Sequence, residues 1–364
     1  MKYWRGYLVA AIIAACGWAL KAFAETHTKL VDMIYPYMTR IIQSYLAQWS
    51  AGVDFCVWQV LLLVLIVLVL ASAVLMFLFK WNVVQWGGWV LALVCAIGFA
   101  NTAVYGLNEQ SAGLVEDIRL ENAEYKYTVS ELKDAAVFYR DQANTLADQV
   151  KRDSSGNVQY PEFDQLATQA AEGFDVLTYD QFHSVFAGST LPVKVLDWSG
   201  RFTAKGVTGV FVPLTGEAAI NPETPAVVMP YAMCLQMAKR MCIAKESCSN
   251  FAAYLTCDAN SSVEFRYAAY LMAYRYCYAA MQSVADATGE MSLQSLKQGE
   301  GKNLQKDLAD CAEFFGKKEV LDESVCDLLV IWHIEKYVLP LQQEEEVAPF
   351  DPLDETQVDM TGLV

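Results

Sequence analysis

Long apolar runs dominate the first hundred residues. Within Val57–Phe79 the polar side chains are Gln59 and Ser72, and a helix of this length would span roughly 35 Å, enough to cross a bilayer. A second apolar run, Trp86–Tyr105, carries aromatic residues at both ends, as is typical of the headgroup level of a membrane. The link at 80–85 is short, so we expect the two spans to form an antiparallel hairpin.

A third apolar run, Tyr7–Leu20, lies near the N-terminus and allows two interpretations. The small residues around Phe23, just before Glu25, resemble the cleavage site of a secretory signal. The alternative is a retained helix over about 7–24, in which the long side chain of Lys21 reaches back to the membrane surface. Both interpretations stay open at this point.

The basic residues predict an orientation. Lys2 and Arg5 precede the first run, and Lys80 lies in the link between the other two. Because basic residues favour the cytoplasmic side of a membrane, three alternating crossings would place everything after Tyr105 outside the cytoplasm. We therefore expect a multi-pass cell-membrane protein with a membrane region at 1–105 and a large extracytoplasmic domain, and the lipid bilayer is its first expected partner.

Beyond the apolar region the pattern changes to amphipathic helices. Thr128 and Glu131 have the spacing of a capping box, and apolar residues then recur every three or four positions to Val150. Around Gly206 the pattern becomes β-branched and alternating, and Pro213 favours an edge strand or ribbon because proline cannot donate to a β-ladder. Helical patterns resume at 231–258, 265–284 and 322–338.

These patterns predict a mainly α fold. We expect N-terminal transmembrane helices, then a mostly helical α+β domain over 106–340 with a small edge strand, then a tail at 341–364. The tail holds seven acidic residues and no basic ones, which favours a solvated, disordered segment.

Composition and charge exclude some functions. The chain is 55% hydrophobic and 19% charged, with a net charge of −16. A protein this acidic is unsuited to bind nucleic acid, because phosphate recognition needs basic patches. The histidines, His27, His183 and His333, are too far apart for the local pairs of common zinc motifs. Seven of the ten cysteines lie beyond residue 200, and we interpret most of them as small buried apolar residues.

One segment carries a resemblance to a known family. The stretch VKVLDWSGRFTAKGVTGVFVPLTGEAAINPETPAVVMPYAMCLQMAKRMCIAKESCSNFAAYL, followed by FRYAAYLMAYRY, resembles bacterial membrane proteins grouped as domain of unknown function 3810. Members of that family have N-terminal membrane spans and an extracytoplasmic domain similar to zinc metallopeptidases. The resemblance covers about Val193–Tyr276 and rests on the T-G-E-A run at Thr215, on Asn250-Phe251, and on the R-Y-x-x-Y-L run at Arg266.

The family's zinc chemistry is missing from this chain. Where the family has the H-E-x-x-H motif, the first histidine is replaced by Leu235, the general-base glutamate by Gln236 and the second histidine by Lys239. The glutamate before Ala-Asn-Phe is replaced by Cys248, and Glu246 alone makes no zinc site. A hydrocarbon and a cation at the ligand positions oppose Zn²⁺. We therefore expect no metal and no cofactor, although the resemblance implies zinc.

Other uses of these residues remain open. Cysteines 234, 242 and 248 would supply thiolates to a different metal, or a desolvated Lys239 would serve as a base or nucleophile. The simpler interpretation is that Lys239 points into a wet former cleft and Leu235 fills space that the metal would occupy. Candidate cleft residues are Gly209, Phe211, Glu217, Glu246, Arg266, Tyr267 and Tyr270, of which the last three favour packing between helices.

The resulting functional expectation is a catalytically inactive, metallopeptidase-like membrane protein with a binding or regulatory role. Its edge strand at Gly209–Pro213 suits an extended peptide or an envelope protein as partner, because strand addition uses backbone groups. Two alternatives stay open: a membrane-bound hydrolase with an unorthodox site, and a structural subunit of a cell-envelope complex.

Overall fold

The computed structural model describes residues 2–111, 125–180, 185–284, 287–316 and 321–340, together with Leu114, Val115, Ile118 and Leu120. His183 and the predicted acidic tail at 341–364 lie outside these residues.

Three helices match the predicted apolar runs. They are α1 (Arg5–Thr26), α3 (Val57–Leu78) and α4 (Val83–Val104). Each is long and apolar enough to cross a bilayer, and the most apolar windows have mean hydropathies of 1.8, 3.3 and 1.8. Most of their side chains are exposed, as expected where lipid rather than protein surrounds a helix. These helices indicate a membrane protein.

Helices α1 and α4 pack side by side in the same direction. A Cβ on Gly6 would lie 2.5 Å from the carbonyl carbon of Gly88, and a Cβ on Gly17 would lie 3.6 Å from Phe99 Cδ2. The two contacts share the same sequence offset, so the helices are parallel, and the glycine pair permits the close backbone approach used by membrane helices. Helix α3 runs the opposite way and meets α4 beside the turn at 79–82.

Helix α2 (Thr28–Ser50) follows α1 after a single residue and was not predicted. It buries small and polar residues against the domain and exposes large apolar ones. Because Lys29, Asp32 and Arg40 interrupt its apolar positions, no long apolar run marks it in the sequence.

The domain contains a three-stranded sheet. Strands β1 (Lys194–Val195), β2 (Gly209–Val212) and β3 (Glu217–Ile220) lie in the order β1-β3-β2. Strand β3 pairs in parallel with β1 and antiparallel with β2. The predicted edge strand is therefore present as β2, with Pro213 directly after its last residue.

The rest of the domain is helical and surrounds one continuous hydrophobic core, in which Tyr139, Tyr254 and Tyr274 are fully buried. Helix α5 begins with the predicted capping box, since Thr128 and Glu131 bond reciprocally. The helices are α5 (Val129–Ala147), α6 (Phe163–Asp180), α7 (Gly200–Thr203), α8 (Met229–Arg240), α9 (Glu246–Asp258), α10 (Val263–Gln282), α11 (Ala287–Gln298), α12 (Lys302–Phe315) and α13 (Glu323–His333).

The single helix expected over 231–258 is wrong in one respect, because it is divided into α8 and α9. Cys242 adopts a left-handed φ of 68°. The amide of Ile243 donates to the Ala238 carbonyl (3.2 Å), and that of Cys242 donates to the Lys239 carbonyl (3.0 Å). This pair of bonds is the Schellman termination, which usually has glycine at the left-handed position. A cysteine there gives no sequence signal for the helix end.

Candidate functional site

Helix α8 carries Leu235, Gln236 and Lys239, three of the four residues at positions where the family resemblance implies metal-binding residues. Pro230 occupies its first turn, where the absent N–H costs nothing. Leu235 and Lys239 are four residues apart and so share one face of the helix. Leu235 and Gln236 are buried, while Lys239 is partly exposed.

Lys239 is neutralised by an acidic partner on α9. Its Nζ lies 2.8 Å from Glu246 Oε2. The other oxygen of Glu246 accepts a hydrogen bond from Asn250 Nδ2 (3.1 Å), and Asn250 Oδ1 accepts one from the Tyr276 hydroxyl (3.0 Å). The structure therefore brings Lys239 and Glu246 together as one end of a hydrogen-bonded chain.

Gln236 meets the edge strand. A Cβ on Gly209 would lie 3.0 Å from Gln236 Cγ and 2.8 Å from the Ala219 carbonyl oxygen, so the glycine allows α8 to lie close under β2. The Oε1 of Gln236 is buried and has no hydrogen-bond partner among the described residues. On the same strand, Phe211 packs against Tyr105 at the end of α4, with ring centroids 5.1 Å apart.

The nearby cysteines are neutral thiols. Burial raises the pKa of Cys242 to about 11 and also raises the pKa of Cys248. Both thiols therefore stay protonated at neutral pH, whereas a metal ligand must be a thiolate. All seven cysteines beyond residue 200 are buried, and none of them forms a disulfide in the structure.

These residues do not fit a zinc ion. Leu235 offers no donor atom, Gln236 cannot take a proton from a metal-bound water, and Lys239 presents an ammonium group that is already paired. Within the part of the chain that the structure describes, no three His, Cys, Asp or Glu side chains are grouped so as to hold a metal ion. The donor set thus disagrees with the zinc that the resemblance implies.

Glu217, a candidate cleft residue, contacts the membrane helix α3. Its carboxylate oxygens accept hydrogen bonds from the backbone N–H groups of Val57 and Trp58, both at 2.8 Å. The same carboxylate pairs with Lys194 Nζ at 2.9 Å, and the pair is largely buried. Lys194 also donates to the Ser50 and Phe55 carbonyls, at 2.7 and 2.9 Å. Glu217 therefore joins α3, the end of α2 and the sheet.

A second carboxylate completes this junction. Asp197 Oδ2 accepts from the Cys56 amide (2.9 Å), and the Asp197 amide donates to Gln59 Oε1 (3.1 Å). Free N–H groups at a helix start need acceptors, and here the domain supplies them. Sequence reasoning missed this role because the partners are more than one hundred residues apart along the chain.

Gly216 fixes α2 against the same turn. Its φ is +66°, and a Cβ there would lie 2.6 Å from the Ala47 amide nitrogen and 2.9 Å from the Gln43 carbonyl oxygen. Gln43 Nε2 also donates to the Pro213 carbonyl (3.2 Å). The T-G-E run that carries the family resemblance is thus the place where the domain binds α2 and α3.

The remaining candidate cleft residues lie elsewhere. The hydroxyl of Tyr267, in the core, donates to Asp307, which also pairs with Arg152 at 2.7 Å. Tyr270 packs edge-on against Tyr254, with centroids 6.0 Å apart. Arg266 acts electrostatically on the carboxyl group of Asp258, whose pKa is raised by burial. The structure does not bring these three residues to Lys239.

Comparison with known proteins identifies a family that the chain matches. Residues 31–329 match the family described as "Protein of unknown function (DUF3810)". This range is well over half of the chain and includes most of α2, all of α3, α4 and the sheet, and most of the helical domain. No curated protein and no solved structure matches the chain.

Proposed function

The chain belongs to this family of proteins of unknown function, and from that premise we propose a specific role for it. The protein is a multi-pass membrane protein whose extracytoplasmic domain keeps a metallopeptidase-like scaffold without zinc chemistry, and it acts by binding rather than by peptide hydrolysis. The observation that carries the proposal is the ion pair between Lys239 and Glu246 on the helix face where the family resemblance implies a metal ion.

The packing of the membrane helices supports the orientation. Because α1 and α4 are parallel, the start of α1 lies beside the start of α4, and Gly6 contacts Gly88 there. Lys2, Arg5 and Lys80 therefore share one end of the membrane region, and the domain is attached at the other end. Basic residues favour the cytoplasmic side, so this arrangement supports a domain outside the cytoplasm.

The edge strand supports a binding role. Strand β2 pairs with β3 along one side, so its other side offers backbone groups to an extended segment. Gly209 has no side chain and packs on Gln236. At that end of the strand, therefore, little bulk hinders an incoming segment. An extended peptide or the exposed strand of an envelope protein is the partner that this geometry suits.

Metal content tests the loss of zinc chemistry. We expect full-length protein purified in detergent to contain sub-stoichiometric zinc by elemental analysis. A variant with Leu235→His, Gln236→Glu, Lys239→His and Cys248→Glu restores the family's donors and should gain zinc. The matched control replaces the same four residues with alanine.

The outcomes separate the parts of the proposal. Stoichiometric zinc in the natural sequence that is lost from the alanine variant would overturn the absence of zinc chemistry. Failure of the donor-restored variant to bind zinc, while it remains folded, would contradict the metallopeptidase-like scaffold alone.

Fusions test the orientation. Alkaline phosphatase attached after Pro340 should be active, and a green fluorescent protein at the same position should be dark. Fusions after Lys80 are the matched control and should behave in the opposite way. The reverse pattern would place the domain in the cytoplasm.

A further inference from the structure

Helix α2 has an unusual distribution of side chains. The face packed on the domain buries polar residues, among them Thr39, Gln43 and Ser50. The opposite face exposes Met33, Tyr37, Tyr45 and Trp49, each with 64–70% of its surface accessible. Met38 and Ile41 on the same helix are exposed as well. A continuous apolar face of this size marks an interaction surface.

The domain holds α2 along most of its length. At its middle, Thr39 Oγ1 lies 3.2 Å from Asn108 Nδ2. Gln43 bonds to the Pro213 carbonyl, and the Ser50 carbonyl accepts from Lys194. The helix therefore lies flat on the domain, and its apolar face points away from it.

Both ends of α2 are joined to membrane helices. At its start, a single residue separates it from α1, and the Tyr35 hydroxyl lies 3.0 Å from the Thr102 carbonyl oxygen near the end of α4. At its other end, residues 51–56 lead into α3. The domain-side ends of all three apolar helices thus meet α2, so a bilayer crossed by those helices has its surface beside α2.

The side chains next to the start of α3 also suit a membrane surface. An open groove of about 680 Å³ is lined by Trp58, Leu62, Trp198, Arg201 and Lys205, among others. Arg201 and Lys205 are exposed and form no ion pair within the described part of the chain. Indole rings beside basic side chains are typical of the headgroup level of a membrane.

From these relationships we propose that α2 is an interfacial helix that lies in the plane of the membrane and seats the domain on the bilayer. Its occupant is phospholipid: Met33, Tyr37, Ile41, Tyr45 and Trp49 lie at the boundary between headgroups and acyl chains, the depth typical of amphipathic membrane-surface helices. The inference rests on the membrane insertion of α1, α3 and α4 in the proposed function. It adds that the membrane contacts the domain through a fourth helix.

Spin labelling tests this placement in the full-length protein. Cys16 and Cys95 are first replaced by alanine, and single cysteines are introduced as Tyr37→Cys, Ile41→Cys or Tyr45→Cys. Each protein is labelled and reconstituted into vesicles of phosphatidylcholine and phosphatidylglycerol. Power saturation then compares collisions with oxygen, which concentrates in lipid, and with a water-soluble nickel chelate.

Two reference sites calibrate the measurement. Leu68→Cys reports the middle of α3, and Thr145→Cys reports an exposed site on α5. The three α2 labels should show an oxygen-to-nickel ratio clearly above that at 145 and below that at 68. A ratio equal to that at 145 would show water against α2 and overturn the inference.

A third result also counts against the inference. Low accessibility to both reagents at α2 would show that protein covers this face, either a second copy of the chain or another partner. If Leu68→Cys also gave a water-like ratio, the membrane insertion in the proposed function would fail. A lipid-like ratio at 68 with a water-like ratio at α2 would reject the interfacial helix alone.

Discussion

The carboxylate of Glu217 lies 2.8 Å from the backbone nitrogen of Val57, so a residue of the sheet caps a helix that enters the membrane. The N-cap residue of α3, Cys56, makes no side-chain capping bond of its own. A charged acceptor at a helix start is favourable both as a hydrogen-bond partner and through the helix dipole.

Replacing this carboxylate should destabilise the whole protein. Glu217→Gln removes the charge, leaves the Lys194 ammonium group without its ion-pair partner, and points an amide donor at one helix N–H. Breaking one side of a buried ion pair costs about 3 kcal/mol or more. We expect a clear fall in the thermal unfolding temperature in detergent. Glu223→Gln, at an exposed position, is the control, and equal melting of the two variants would contradict the capping role.

Alanine should destabilise the protein far more at Gly216 than at Gly156, a glycine of similar backbone conformation. Gly216→Ala places a Cβ against the backbone of α2, and we expect a loss of about 3 kcal/mol from left-handed strain and overpacking together. Gly156 has a φ of +81°, and its Cβ would meet only the flexible side chain of Lys306 at 3.5 Å. Gly156→Ala should therefore cost about 1 kcal/mol. Similar losses in chemical denaturation would show that α2 is not held at Gly216.

At Cys242, where α8 ends, glycine should give a more stable protein than alanine, the reverse of the usual order within helices. Cys242→Gly and Cys242→Ala both lose the thiol, but only glycine accepts a φ of 68° without strain. We expect the glycine variant to be more stable by about 1 kcal/mol. The same two substitutions at Cys311, inside α12, should show the opposite order by a similar amount. Alanine favoured at both positions would contradict the left-handed backbone.

His333 should make stability depend on pH. Burial lowers the pKa of His333 from its ordinary 6.5, and its ring packs 4.8 Å from that of Phe138. A neutral histidine in the folded state stabilises the protein above pH 6.5, and this contribution is lost as the pH falls toward the lowered pKa, because the unfolded chain binds the proton first.

The variant His333→Phe should therefore lose less stability than the natural sequence between pH 7 and pH 5, by up to about 1.4 kcal/mol per pH unit. Thermal melts across that range would measure the slope. Identical slopes for the natural sequence and His333→Phe would contradict a buried neutral ring.

Local signals in the sequence predicted the local structure. The apolar spans and the capping box at Thr128 and Glu131 follow from runs and spacings of neighbouring residues, and the edge strand follows from the glycine and proline around it. Helix α2 was missed because its apolar side faces away from the domain and charged residues interrupt it. The end of α8 was missed because cysteine, not glycine, occupies the left-handed position.

Long-range contacts could not be predicted from the sequence. The spacing within the T-G-E run carries no information about how far Glu217 lies from Val57. Glu217 was therefore assigned to a cleft rather than to the start of a membrane helix. Leu235 and Lys239 were correctly placed on one helix face by their spacing of four. The pairing of Glu246 with Lys239 depends on the turn at Cys242, and no residue pattern predicted that turn.

The Glu217 cap also imposes an order of events during biosynthesis. During synthesis, α3 leaves the ribosome well before Glu217 is made. Similarly, α1 can pack against α4 only after α2 and α3 have been made. The first turn of α3 therefore lacks these carboxylate acceptors until the sheet has folded against it. The final packing of the apolar helices and the folding of the domain are consequently one event.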